Sequence, residues 1–187
     1  VVNRRDFEIV KNFDSEVEEL HRDNFEQVEF TNCTFSNLAG ITFIDCVFQD
    51  CNLSNATVAN ARFSDVIFIN CKLTGINFSE SKDFGFSIQL DNCILDYAIF
   101  ERKKPVKSTF SNCKIHGADF TQADLSKCKF HNCDFWDAIF ANTNVAGVDF
   151  TTSKNFTIDP TINNVKKAKF LSSDLAGLLT RFDIIVR

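Results

Sequence analysis

Between residues 25 and 150 a large apolar side chain recurs at every fifth position. In "FTNCTFSNLAGITFIDCVFQDCNL", residues 30 to 53, the series reads Phe30, Phe35, Phe43, Phe48 and Leu53. After one slip it continues through Val58, Phe63, Phe68, Leu73 and Phe78, and after a second through Leu90, Leu95 and Phe100. From Phe110 it runs unbroken through Ile115, Phe120, Leu125, Phe130, Phe135, Phe140 and Val145 to Phe150. A period of five fits neither the 3.6 residues of a helix nor the 2 of a flat strand. Two residues before each centre stands a compact side chain such as Cys33, Cys46, Ala56 or Ala118, and the other three positions are mostly polar. Each unit therefore buries two side chains and shows three to water. A flat strand would invert that pattern from unit to unit. A chain that turns a corner every five residues keeps it, and four such sides close a coil of about 20 residues. Stacked coils, about 4.8 Å apart, make a β-solenoid in which each coil covers the next.

The breaks in this period define the organisation. Residues 1–24 lack it and are expected to cap the first coil, because a solenoid end exposes unpaired backbone. The repeat itself spans 25–170, with irregular stretches at 36–42, 79–93, 101–109 and 151–167. In "ERKKPVKSTF" (101–110) Pro105 falls on a centre, which predicts a distorted corner or a short protruding loop. That loop would offer Arg102, Lys103, Lys104 and Lys107 to an acidic partner. Residues 171–187, "LSSDLAGLLTRFDIIVR", change period. Ser173 or Asp174 can N-cap a short helix carrying Leu175, Leu178, Leu179 and Phe182, followed by a β-like tail with Ile184 and Val186. An apolar helix with one free face at the end of a stack favours an end-to-end homodimer.

All eight Cys lie two residues before a centre, and no C-x-x-C pair occurs. That placement reads as small buried hydrophobes, neither a disulfide framework nor a metal site, and suits a reducing, cytoplasmic setting. The opening "VVNRRDFEIVKNFDSE" is charged throughout and has no secretory-signal pattern, and no apolar run reaches membrane length. His21, His116 and His131 do not assemble a catalytic set, and no phosphate loop or metalloprotease motif is present. A shaft filled by its own side chains leaves no pocket for a substrate. The expectation is a binding protein without catalytic activity or cofactor. The charge is uneven, −7 over residues 23–100 and +4 over 101–187, so direct nucleic-acid binding is disfavoured along the first half.

Two surface groups stand out if residues 20 apart stack. Asp96, His116 and Trp136 form one outer column beside Tyr97 and Asp137, and Trp and Tyr with nearby charge are common at protein interfaces. Asp45 and Asp65 form a second column with Asp50 round the corner, a pattern that corner hydrogen bonding also explains.

The segment "GADFTQADLSKCKFHNCDFWDAIF", residues 117–140, resembles the pentapeptide-repeat family, often summarised A-(D/N)-L-x-x, whose fold is an all-β right-handed quadrilateral β-helix. Within it, "SKDFGFSIQLDNC", "LSKCKFHNCDFWDAIFANTNVAGVDF" and the ending "LAGLLTRFDIIVR" are similar to the quinolone-resistance (Qnr) branch. Those proteins are dimeric rods that bind type II topoisomerases. The resemblance implies a DNA-mimicking partner of DNA gyrase or topoisomerase IV, with Asp45, Asp50, Asp65, Glu80, Asp83 and Asp91 spaced in place of phosphates. The alternative is a general protein-interaction scaffold using the Trp136 side or the 102–107 segment.

Overall fold

A computed structural model describes residues 7–14 and 20–185. Residues 1–6 and 15–19 of the expected N-terminal cap, and Val186 of the expected tail, lie outside the described residues. Every strand pairing and isolated bridge is parallel, joining residues 18 to 22 apart. A chain that meets itself in parallel at this interval is a coil stacked on itself.

The pairings sort into four walls. Wall 1 is a seven-stranded sheet of β1 (Glu8–Lys11), β3 (Val28–Thr31), β5 (Val47–Gln49), β7 (Val66–Ile69), β8 (Ile88–Asp91), β9 (Thr109–Ser111) and β10 (Lys129–His131). Wall 2 is a run of single bridges from Asp14–Thr34 to Asp134–Lys154, and wall 3 a similar run that includes Ile99–Asp119–Ile139. Wall 4 begins with β2 (Asn24–Glu26), β4 (Thr42–Ile44) and β6 (Arg62–Ser64) and continues as the Asp124–Asn144–Asn164 bridges. Residues Glu8–Lys11 thus form a full strand of the first coil within the region expected only to cap it.

Inside, the centres stack by wall. Phe30, Phe48 and Phe68 lie nearly parallel at 4.8 and 5.0 Å, and Phe78, Phe100 and Phe120 at 5.1 and 5.3 Å. Rings from neighbouring walls meet edge to face, as Phe43 and Phe48 do at 5.2 Å, so both preferred aromatic geometries are used at once. The eight thiols are free and buried. Six of them, Cys33, Cys51, Cys71, Cys93, Cys113 and Cys133, line the inner side of one corner. Each of the last five donates its S–H to the carbonyl of the wall-1 centre one coil earlier, as Cys71 does to Phe48 (3.3 Å) and Cys133 to Phe110 (3.4 Å). At another corner Thr143 donates its hydroxyl to the carbonyl of Phe120, and Asn163 its amide to that of Phe140, the wall-3 centres one coil earlier. The position therefore asks for a compact group that can also donate, which explains why Cys outnumbers other small residues there. Burial pushes the Cys46 thiol up to about 11 and Cys128 up to about 12, so both stay protonated.

Corners require φ > 0. Asn12, Asn32, Asp50, Asn70, Asn92, Asn112 and Asn132 take it at one corner, with φ between 53° and 56°. Their side chains form a hydrogen-bonded ladder, for example Asn32 to Asn12 (2.7 Å), Asn70 to Asp50 (3.0 Å) and Asn132 to Asn112 (3.0 Å).

The irregular stretches behave differently from one another. Residues 79–87 are a true insertion: Phe68 pairs with Leu90, 22 residues on, and a 3-10 turn (Phe78–Glu80) leads into a bulge over wall 4. By contrast 101–110 is no loop. Leu90 pairs with Phe110 and Phe110 with Phe130, Pro105 is buried at its centre, and Arg102 and Lys107 adopt ordinary corner φ values of 59° and 58°. Residues 151–167 likewise keep a 20-residue register, from Asp134–Lys154 to Asn144–Asn164, and make a further coil.

The last coil is closed by 3-10 helices Ser172–Leu178 and Thr180–Phe182. The N-cap is Leu171 with no side-chain bond, in place of the expected Ser173 or Asp174, and no strand forms at Ile184. Gly177 lies against the coil end: its carbonyl accepts from the Ile158 amide at 2.9 Å, and a Cβ there would sit 2.2 Å from the Phe156 carbonyl oxygen. Gly177→Ala should therefore lower stability by about 1–3 kcal/mol through overpacking. Phe68→Ala should cost about 3–5 kcal/mol through the cavity it leaves. Urea unfolding of both variants checks these values. A Gly177→Ala midpoint equal to wild type would mean that the helix does not seal the stack.

Candidate functional site

With the shaft filled, the outer walls carry whatever chemistry the chain has. Wall 2 holds the largest exposed aromatic group. Tyr97, 66% exposed, turns the corner at φ 60°, and Gly117 one coil on has no side chain, which lets the Tyr97 ring lie over it: a Cβ there would be 2.7 Å from that ring. His116 and Trp136 follow on adjacent coils with ring centroids 5.7 Å apart, and Trp136 is 54% exposed. Ile139, round the corner on wall 3, is exposed as well. Lys114 donates to Asp96 (2.7 Å), and Asp134 lies 3.4 Å from His116 Nε2 and 3.5 Å from Lys154 Nζ. Burial raises the Asp134 pKa, and donors from Asn155, the Trp136 amide and His116 outweigh that, leaving it lowered. The column Asp96, His116, Trp136 is thus assembled as the 20-residue register requires, with an ionic rim around an aromatic centre.

The carboxylates of the candidate phosphate mimic are scattered among three settings. Asp45 and Asp65 stack at the corner between walls 4 and 1 (φ 51° and 53°), and Asp65 accepts from Ser87 Oγ at 2.9 Å. Asp50 and Asp91 belong to the amide ladder of the next corner, where Asp91 accepts from Asn112 at 2.9 Å. Glu80 accepts from Asn77 (2.9 Å), and Asp83 is ion-paired to Lys103 at 2.7 Å. The structure does not bring these six into one line.

Lys103 departs most from expectation. It is buried, in the inward position two before Pro105, and is unavailable to any partner. Its Nζ donates to the Ser81 carbonyl (2.5 Å) and to Asp83, and sits 5.0 Å from the Phe86 ring. This lysine fixes the 79–87 insertion to the stack. Of the other three, Arg102 Nε donates to Gln122 (2.8 Å), and Lys104 and Lys107 point to solvent. A carboxylate facing solvent can rehydrate when its partner is lost, whereas a buried carbonyl cannot. Lys103→Ala should then cost about 2–4 kcal/mol, and Asp83→Asn, which leaves the buried ammonium without its countercharge, about 1–3 kcal/mol. Thermal unfolding of the two variants checks this; an unchanged midpoint for either would contradict the pairing.

Two further features were not expected from the sequence. Phe84, at the tip of the insertion, is 78% exposed and lies 5.1 Å from the Arg62 guanidinium. Lysines gather at the corner between walls 4 and 1 of the later coils, and Lys127 and Lys129 line a groove of 590 Å³ with His131, Asp149 and Thr151. The 20-residue spacing of Lys107 and Lys127 is the signal that could have found the second. Among the described residues, no group of three His, Cys, Asp or Glu is placed to hold a metal ion. No described helix is long and apolar enough to cross a membrane.

Comparison with known proteins agrees with this architecture. A family model for pentapeptide repeat regions matches residues 23–100, and a second, for eight-copy pentapeptide repeats, matches 106–126 and 118–154. No curated protein matches the sequence. Among solved structures, full-length QnrB1, a plasmid-mediated fluoroquinolone resistance protein, is 21% identical with a TM-score of 0.50, covering 94% of this chain and 99% of its own. A trypsin-treated form of QnrB1 is 19% identical at the same TM-score, covering 97% and 99%. HetL from the cyanobacterium Nostoc sp. strain PCC 7120, a protein involved in heterocyst differentiation regulation, is 12% identical with a TM-score of 0.45, covering 78% and 84%. For QnrB1, at these identities, the likeness is one of fold. From the repeat counted in its residues to the four walls that it builds, the chain belongs to the pentapeptide-repeat proteins.

Proposed function

We propose that this protein works by presenting a rigid outer wall to a protein partner, not by catalysis. The observation that carries the reading is the wall-2 surface, where Tyr97 and Trp136 stand exposed with the half-buried His116 packed against Trp136, inside a rim of charged side chains. Aromatic groups held by a stiff scaffold lose little freedom on binding, which is why Trp and Tyr dominate interface energetics. The exposed end formed by Leu171, Leu175, Phe182 and Ile184, with Leu178 and Leu179 half-buried beneath, supports a homodimer through the C-terminal end.

The second reading is a partner of a type II topoisomerase, DNA gyrase or topoisomerase IV, engaged as a DNA mimic. It is supported by the stacked Asp45 and Asp65 and by the likeness in fold to a fluoroquinolone resistance protein. The scattered settings of Asp50, Glu80, Asp83 and Asp91 weigh against a continuous phosphate-like track. A DNA gyrase supercoiling assay with and without a quinolone separates the two. Topoisomerase mimicry predicts an effect at micromolar protein that Asp45→Lys/Asp65→Lys abolishes and Trp136→Ala spares. An absence of effect with the wild-type protein removes the topoisomerase reading. The wall-2 reading is tested by pull-down with wild type against Trp136→Ala; identical captured proteins would contradict it.

A further inference from the structure

Over six successive coils the corner between walls 4 and 1 carries, in order, Gln27, Asp45, Asp65, Ser87, Lys107 and Lys127, and it continues through Gly147 to Lys167. The register fixes this column: Asp45 donates its amide to Ser64 O, Val66 N to Ser87 O, and strands β8, β9 and β10 pair in turn through Gln89–Thr109–Lys129. Two carboxylates therefore stand above Ser87 and two ammonium groups stand below it, at matching distances. No ion pair among the described residues uses Asp45, Asp65, Lys107 or Lys127. Like charges stacked one coil apart repel, and of the four only Asp65 has a described side-chain hydrogen bond, from Ser87 Oγ at 2.9 Å.

Such a column is complementary to itself when reversed. A two-fold axis through the level of Ser87, perpendicular to the rod, sets Asp65 against Lys107 of a second copy and Asp45 against Lys127, each pair occurring twice. Isologous interfaces are built in this way, with residue i meeting j and j meeting i. The same axis brings together the two exposed apolar side chains beside this corner. Phe84, 78% exposed, folds over wall 4 at the level of Arg62 and Ser64, one coil above the axis. Val106, 51% exposed, lies on the same wall one coil below it. Reversal sets the Phe84 of each copy on the Val106 of the other. Of the remaining cations here, Arg62 is covered by the Phe84 ring, Lys104 is offset by Asp124 in its own chain, and Lys82 and Lys129 stand exposed on either side of the column.

We propose that this corner is a self-recognition surface through which two copies pair side by side and antiparallel. It goes beyond the wall-2 reading and uses a part of the surface separate from both wall 2 and the C-terminal end. The occupant is a second copy because the charge order and the apolar pair are both symmetric about one level. A nucleic acid would match only the lysine half and would be repelled by the aspartate half.

Zero-length carbodiimide cross-linking of mixed ¹⁴N- and ¹⁵N-labelled full-length protein, read by peptide mass spectrometry, tests the arrangement. Within one chain Asp45 and Lys127 lie four coils, roughly 19 Å, apart, so a direct amide between them can form only between copies. The expected result is mixed-isotope Asp45–Lys127 and Asp65–Lys107 links that vanish at 1 M salt. Charge reversal supplies the second measurement. Lys107→Glu/Lys127→Glu and Asp45→Lys/Asp65→Lys should each self-associate at least tenfold more weakly through this surface, while an equimolar mixture of the two associates again. Absence of both links at concentrations where the protein sediments as a dimer, or a mixture no tighter than its components, overturns the proposal. A dimer through the C-terminal end alone gives neither signal, so failure here leaves that contact and the wall-2 reading standing.

Discussion

Parallel backbone hydrogen bonding between coils about 20 residues apart is the constraint from which everything else follows. Once each wall pairs with the one before it, a side chain is committed to the shaft or to solvent by its position in the five-residue unit alone. The inward pair then has to fill a column of fixed width. A large centre on one wall meets a compact side chain at the neighbouring corner, and rings of adjacent walls interlock edge to face. The outward three are free to vary, provided one of them tolerates φ > 0.

The same constraint explains the use of cysteine. The compact inward position faces a carbonyl of the preceding coil, and an S–H reaches it where Ala or Val cannot. Thiols here act as small apolar side chains with a weak donor, and their spacing reflects backbone chemistry. Lys103 is the exception that shows the rule, since it occupies a compact position with a long side chain. It does so where the 79–87 insertion leaves the Ser81 carbonyl in need of a donor, and it reaches Asp83 at the surface with the same ammonium.

Period and composition therefore made the walls legible before any coordinates, because Phe110, Phe130 and Phe150 announce a column by spacing alone. They also placed His116 beside Trp136. What they hid was length. "ERKKPVKSTF" looks like a loop because it is basic and contains Pro, yet it has the five-residue count of two ordinary units, and count prevails over composition. "SESKDFGFS" looks like a modest irregularity, yet its two extra residues shift every later stacking partner and thrust Phe84 outward. Residues 151–167 read as an insertion for want of a bulky centre at Asn155, but Phe156 and Ile158 fill the shaft in its place. Surface columns that cross the insertion, such as Asp45 to Lys127, could not be aligned until that offset was fixed.

The claim that all compact positions share one sealed shaft is tested most directly by timed thiol labelling with an aromatic disulfide reagent at pH 8. The account predicts that the native protein shows no reactive thiol on the minutes scale, and that all eight cysteines appear together as denaturant unfolds the stack. One or more thiols reacting at the rate of a free cysteine in the native protein would contradict it, because a side chain at that position would then be facing water.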